Sequence, residues 1–370
     1  MDIVCLGELL IDMFPAEVGR KLVEVSAFRP KPGGAPANVA VAAVRLGMQS
    51  AFIGKVGDDA FGHHLAGILR QEGVDVRGMR YDQEARTGMA FIAMPDVNSY
   101  EILFYRNPGA DMRLRADELD RELLQQTRVL HFGSLSLIQE PSRSATLEAV
   151  KIARQGGALI SFDVNYRPDL WSRAQARERV MATLPYVDLL KVNEVEIALL
   201  GGNGLARPEE RLQPADLDVA AQALLQHGPV LCVVTLGPAG SLFRVAEGGE
   251  HVPAFQVETV DATGCGDAFI AGLLCQLVCS PLPDRKGQGE GGPSPLPGRE
   301  GQGEGGPGPH PGPLSGRQSE HWRSQLTPAR MRQALRYANG VGALTALTLG
   351  VIPALPTAAQ VEVFLAQYEQ

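Results

Sequence analysis

The chain has 370 residues, 45% of them hydrophobic and 21% charged, with a formal net charge of −8. That is ordinary globular composition with ample length for a large core, in one large α/β domain or two. The acid excess argues against the basic face that nucleic acid or an anionic membrane would require, so neither is expected as a partner.

The N-terminal segment MDIVCLGELLIDMF carries Asp2, Glu8 and Asp12, unlike a signal peptide. Within it IVCLGELLI reads as one buried strand. ANVAVAAVRLG has the small-residue texture of a packed helix ending at Gly47. SAFIGKVG reads as a strand and FGHHLAGILRQEG as an amphipathic helix. Further on, RVLHFGSLSL, ALISFDVNY, VDLLKVNE and PVLCVVTLG read as strands. RSATLEAVKIARQGG, ADLDVAAQALLQHG and MRQALRYANGVGALTAL read as helices. This alternation predicts an α/β fold with a doubly wound, mostly parallel sheet and helices on both faces, its site at the carboxyl ends of the strands. Two stretches, 13–32 and 86–106, alternate apolar and polar residues with no helix between. They are expected to pair as a small antiparallel sheet, separate from the main one and placed as a lid.

Three other features stand out along the chain. The run from Tyr337 to Gln360 has no charge, but glycines and prolines break it, so it reads as a buried helix and loop rather than a membrane span. Residues 280–318 hold SPLPDRKGQGEGGP followed at once by SPLPGREGQGEGGP. Proline and glycine at that density cannot bury a core, which predicts a disordered, tolerated insertion in an otherwise single domain. The five cysteines, Cys5, Cys232, Cys265, Cys275 and Cys279, show no paired metal spacing. They read as buried thiols of a cytoplasmic protein.

The stretch DATGCGDAF carries the chemistry. Glycines ahead of an apolar helix let backbone N–H groups converge where the helix adds partial positive charge, which makes an anion site. Gly264, Cys265 and Gly266 supply such groups, and Asp267 is placed to take a proton from a hydroxyl that attacks the anion. The same residues also fit a tight turn with Asp267 as a helix N-cap, and the stretch alone leaves both open. KPGGAPANVAVAAVRLG adds Gly33 and Gly34 before a second helix, with Asn38 able to donate and accept toward a sugar hydroxyl. There is no Walker A loop, and the third glycine of a dinucleotide fingerprint is absent.

These two regions resemble the signatures of the ribokinase-type (PfkB) sugar kinase family. GELLIDMFP, SAFIGKVGDDAFG, FYRNPGADM, FDVNYRPDLW, KVNEVEIALL, VVTLGPAGSLF and GVIPALPT are similar to its fructokinase branch, and the likeness covers the whole chain apart from 280–318. The resemblance implies phosphoryl transfer from ATP, with Mg²⁺, to a sugar hydroxyl, most simply that of fructose. Asp267 then matches the general base, and Gly264, Cys265 and Gly266 match the anion hole. Asp12, Gly33, Gly34, Asn38, Phe104, Arg106 and Arg167 match positions near the sugar or its phosphate. Asn193, Thr235, Gly237, Gly240 and Asn339 match nucleotide positions. Glu196 matches the carboxylate that organises Mg²⁺ through water, and Asp261 a possible K⁺ site. The resemblance also implies a homodimer joined through the lids. Cys265 stands where the family usually has alanine, which raises the expectation of oxidation sensitivity. A 2-keto-3-deoxygluconate kinase, and a non-catalytic sugar-binding regulator on the same fold, are the alternative readings.

Overall fold

The structure, a computed structural model, describes residues 1–96, 99–201, 214–278, 322–323 and 326–368. The repeat region 280–318 and Cys279 lie outside the described residues.

The chain opens with β1 (Ile3–Leu6) and β2 (Leu10–Pro15). β3 (Phe28–Gly33), α1 (Ala35–Arg45), β4 (Ser50–Gly57), α2 (Ala60–Gln71), β5 (Met79–Asp82), β6 (Met89–Asp96) and β7 (Ser99–Tyr105) follow. Next come α3 (Arg121–Gln125), β8 (Val129–Gly133), α4 (Ser142–Gln155), β9 (Leu159–Asp163), α5 (Arg173–Thr183), β10 (Leu189–Asn193) and α6 (Glu194–Leu200). The last part holds α7 (Pro214–Leu225), β11 (Leu231–Thr235), β12 (Ser241–Val245), β13 (Gly248–Val252), α8 (Cys265–Val278), α9 (Pro328–Thr345), α10 (Val351–Ala354) and α11 (Ala358–Ala366).

Nine strands form the main sheet in the order β13-β12-β11-β10-β9-β8-β1-β4-β5. All neighbours from β11 to β5 are parallel, and the hairpin β12–β13 adds an antiparallel edge. The chain leaves β1 toward β4 and later returns to β8 on its other side, so a crevice opens between the carboxyl ends of β1 and β8. Strand residues alternate between two cores. Ile3 and Cys5 join the core under α1, α2, α8 and α9, whereas Val4 and Leu6 join the core under α3 to α7. Buried on both faces, these strands are apolar runs rather than alternating ones.

The smaller sheet has the order β3-β2-β6-β7. Its two outer pairings are antiparallel, and β2 and β6 join them by a parallel pairing. Along β7, Ile102 and Phe104 face the crevice while Leu103 and Tyr105 are exposed on the outer side.

Two sequence expectations need correction. IVCLGELLI is two strands in two sheets, because the chain turns at Gly7, where an added Cβ would sit 2.6 Å from Pro36 Cγ. Period alone cannot show that turn, since both halves are apolar. The SLSL after β8 is a 3₁₀ turn over Ser134–Leu137 rather than strand. The charge-free run from Tyr337 divides into the end of α9, a loop, α10 and the start of α11, and no described helix is long and apolar enough to cross a membrane.

Phe132 and Phe162 stack across neighbouring strands with ring centroids 4.7 Å apart, and both are fully buried. Phe162→Ala is expected to cost about 3–5 kcal/mol through lost contact and the cavity left behind. Urea unfolding of the two proteins checks this.

Candidate active site

The crevice is a cleft of about 440 Å³. The small sheet contributes Leu10, Asp12, Ala90, Ile92, Ile102 and Phe104 to its wall. The strand ends of the main sheet contribute Glu8, Leu135, Asp163, Asn165, Arg167, Lys191, Asn193 and Thr235, and the loop into α8 adds Ala262 to Gly264, then Gly266 and Asp267.

α8 begins at Cys265, so Asp267 lies inside its first turn and is not the N-cap. Its side chain turns into the cleft, where Oδ2 accepts from Asn38 Nδ2 at 2.8 Å. The buried Asn38 Oδ1 has no partner among the described residues, and Asn38 lines the cleft. Gly264 holds φ +79°, and an added Cβ there would meet Val351 Cγ1 at 2.3 Å. Only glycine lets the chain enter the helix this tightly. The first-turn N–H groups that a helix start leaves without intrahelical partners therefore converge beside Asp267. Cys265 departs from expectation. It is off the cleft wall, its N–H turns back to Ala262 O at 3.3 Å, and its thiol lies 3.9 Å from Asp261 O. Burial pushes that thiol up to about 12, which makes a poor thiolate and removes the reason to expect oxidation sensitivity.

Four carboxyl groups, those of Glu8, Asp12, Asp163 and Asp267, line the cleft, and the pKa of three of them is raised. Burial pushes Asp267 up to about 6 and Asp12 up to about 7, against the pull of nearby cations, and in both cases neighbouring carboxylates add to the rise. Glu8, with one oxygen accepting from Ala35 N at 3.2 Å and the other unpartnered, is pushed up to about 7 by burial. Arg167, half-buried on the wall, opposes the shifts of Asp12 and Asp267. Gly33 leaves room for Asp12, since a Cβ there would sit 2.0 Å from Asp12 Oδ2. Gly34 packs against the Glu8 carbonyl.

The other expected residues divide. Asn193 and Thr235 reach the cleft wall, and Asn193 Oδ1 also accepts from Glu196 N at 2.9 Å to cap α6. Glu196 is buried behind the wall, with its oxygens accepting from the N–H groups of Tyr166 and Asn193, each at 2.8 Å. Gly237 and Gly240 frame the 3₁₀ turn after β11, away from the wall. Asn339, expected beside the nucleotide, stands apart from this cleft. Its amide donates to the carbonyls of Val252 and Pro253 and accepts from Ser241, so it ties α9 to the β12–β13 hairpin and is not brought to the cleft. Arg106 also stands apart. It lies off the wall in a buried ion pair with Asp111. Asp261 spends its carboxylate on the N–H groups of Thr263 and Gly350, pinning the loop ahead of α8.

Sequence reasoning passed over Glu8 and Lys191, and Asn165, whose φ of +39° is the one positive value at a non-glycine residue among the described residues. A signal for Lys191 was present. A lysine inside a short apolar parallel strand must be paired, and Asp163 ends the neighbouring strand. Among the described residues no three His, Cys, Asp or Glu side chains form a metal cluster. This donor set fits a magnesium ion that rides on nucleotide phosphates and keeps its waters, with Glu196 the nearest candidate behind the wall.

The comparisons with known proteins agree with this geometry. Residues 1–282 match the model of the pfkB family carbohydrate kinases. The chain belongs to that family. Among curated members, "Probable fructokinase-2" of Arabidopsis thaliana is 40% identical over 366 residues, which is 98% of this chain and 95% of the relative. Among solved structures, fructokinase with bound ATP from Xylella fastidiosa superposes with a TM-score of 0.80 at 27% identity, covering 100% of this chain and 99% of its own. Fructokinase from Vibrio cholerae O395, in its fructose, ADP and calcium ion bound form, gives 0.76 at 28% identity, with 98% of each chain covered.

The raised carboxyls have a consequence for stability. A folded pKa above the unfolded one means that the folded state holds extra protons between the ordinary carboxyl range and about pH 7. This cluster's contribution to stability therefore falls as pH rises through that window. Asp267→Asn is expected to stabilise the ligand-free protein by about 1–2 kcal/mol at pH 8 and to flatten that fall. Thermal melting between pH 5 and 8 measures both.

Proposed function

We propose that this kinase transfers the γ-phosphoryl group of ATP to the 6-hydroxyl of fructose. The observation that carries the reading is Asp267, a basic carboxylate beside a glycine-built helix start, in a cleft that also presents Asp12 and Asn38. The fructokinases similar over nearly the full length support the choice of sugar.

Asp12 and Asn38 orient the sugar by hydrogen bonds to its hydroxyls. Asp267 accepts the proton of the attacking hydroxyl, and its raised pKa makes it a stronger base than an ordinary aspartate while leaving it mostly ionised near pH 7.5. The N–H groups around Gly264 and Gly266 stabilise charge on the phosphoryl group in flight. When bound with ATP, magnesium neutralises phosphate charge. Segments 13–32 and 86–106 act as the lid of a single kinase domain, and Phe104 and Ile102 close the sugar in and exclude water. Asn193 and Thr235 meet the nucleotide. Where a monovalent cation binds, Asp261 supplies charge to it beyond its two backbone bonds. Among the described residues Cys5, Cys232 and Cys265 are thiols outside any disulfide, which supports a reducing compartment.

Coupled ADP release with MgATP tests the reading. Fructose is expected to outrun 2-keto-3-deoxygluconate, ribose and adenosine. A preference for the keto acid would keep the mechanism and make Arg167 its carboxylate clamp, while sugar binding without turnover would identify a regulator. Asp267→Asn should lower kcat on the order of 10²–10³-fold. In the wild type, kcat/KM should rise with pH through about 6.

The outer face of the small sheet, with Leu103 and Tyr105 exposed, is the surface through which two copies pair. Tyr105→Glu is expected to shift sedimentation velocity from dimer toward monomer.

A further inference from the structure

Lys191 and Asp163 face each other in register on β10 and β9. The ammonium donates to both oxygens of Asp163, at 3.0 and 2.9 Å, and both side chains are buried. A buried pair of this kind can be scaffolding alone. Three observations point elsewhere. Both residues reach the cleft wall beside Gly266 and Asp267. A Cβ added to Gly266 would lie 3.3 Å from Lys191 Nζ, so the ammonium sits against the backbone that faces the anion. Two of its three hydrogens serve Asp163, and the third has no protein acceptor among the described residues.

We propose that Lys191 is a catalytic cation of this site, aimed by Asp163 so that its ammonium meets the phosphoryl group as it crosses from ATP to the sugar. The bond from the γ-phosphorus to the bridging oxygen breaks and leaves ADP, a bond from that phosphorus to the sugar oxygen forms, and the hydroxyl proton goes to Asp267. Lys191 exchanges no proton. It supplies charge where negative charge gathers, in a place too dry for water to screen it. Burial opposes its charge, but Asp163, Glu196 and Asp267 outweigh burial and hold its pKa above the ordinary value. His131, which bonds Ser161 on the same strand layer, is pushed down to about 4 by burial and brings no rival charge. Around Asp267 the charged groups are thus Asp163, Lys191, Arg167 and Asp12, with Asn38 as the neutral hydrogen-bond donor.

The inference rests on the kinase reading, and the test separates the two. Lys191→Met is expected to lower kcat on the order of 10²–10³-fold while KM for fructose changes little. Removing the lysine also removes a charge that lowers the pKa of Asp267, so the acidic limb of kcat/KM moves up in pH. Asp163→Asn removes a charge that raises it, so the limb moves down. These opposed shifts report both charges beside Asp267, while the fall in kcat at little-changed KM and the calorimetry below separate a catalytic cation from scaffolding. Lys191→Arg keeps the charge but misplaces it, so kcat falls while the limb stays. This variant and Asp163→Asn decide the matter if Lys191→Met does not fold. Calorimetry adds a readout without turnover, in which the wild type's preference for MgATP over MgADP shrinks in Lys191→Met. A Lys191→Met enzyme within about threefold of wild-type kcat, or limbs that move the same way, would overturn the role of Lys191 and leave the kinase intact. A wild type that phosphorylates no sugar would overturn the kinase reading instead, and the calorimetry would still decide whether Lys191 senses the γ-phosphate.

Discussion

The hydrogen bond between Asn38 and Asp267, 2.8 Å long, joins two helix starts 229 residues apart in the chain. Much of the architecture serves to make that meeting possible. α1 is built from Ala37, Val39, Ala40, Val41, Ala42 and Ala43, all buried, so it lies close to α8 in the same core. Gly34 and Gly264 let the backbone enter each helix without a side chain in the way. Asp261 and Val351 then fix the loop ahead of α8 from two sides, the first by hydrogen bonds to Thr263 and Gly350 and the second by contact with Gly264. A displacement of either helix would separate Asp267 from its donor, and placement to a fraction of an ångström is what the proposed catalysis requires.

The second organising feature is the concentration of charge at the carboxyl edge of the parallel strands. Glu8, Asp12, Asp163 and Asp267 are buried or half-buried there, and among the described residues Lys191 and Arg167 answer them on the wall. Burial raises the pKa of Glu8, Asp12 and Asp267 there to about 7, about 7 and about 6. Stability is given up locally and recovered in the two apolar cores on either side of the sheet, the usual relation between a working site and its scaffold. The raised pKa of Asp267 is the cost of that burial and, on the proposed mechanism, the source of its strength as a base.

Much of this was legible in the sequence. The alternation of apolar runs with amphipathic stretches, and the glycines ahead of Asn38 and Asp267, carry the sheet, the cleft and its base. What escaped is of three physical kinds. A strand that leaves one sheet for another is invisible to periodicity when both halves are buried, as at Gly7. A polar side chain satisfied inside the protein looks, in sequence, like one that waits for a ligand. Asn339 is such a case, spoken for by Ser241 and by the carbonyls of the β12–β13 hairpin, distant in the chain. Lys191 is the converse, for its apolar strand said only that it must be paired and not that its partner stands at the cleft.

The alternation along β7 carries a consequence for regulation. Ile102 and Phe104 touch the cleft while Leu103 and Tyr105 look outward from the same single-layer strand. Such a strand cannot be stiffened on one side alone. On the proposed pairing of two copies, a partner on the outer pair would limit the motion of the inner pair, and by thermodynamic reciprocity a sugar that ordered the inner pair would strengthen the outer contact by the same factor.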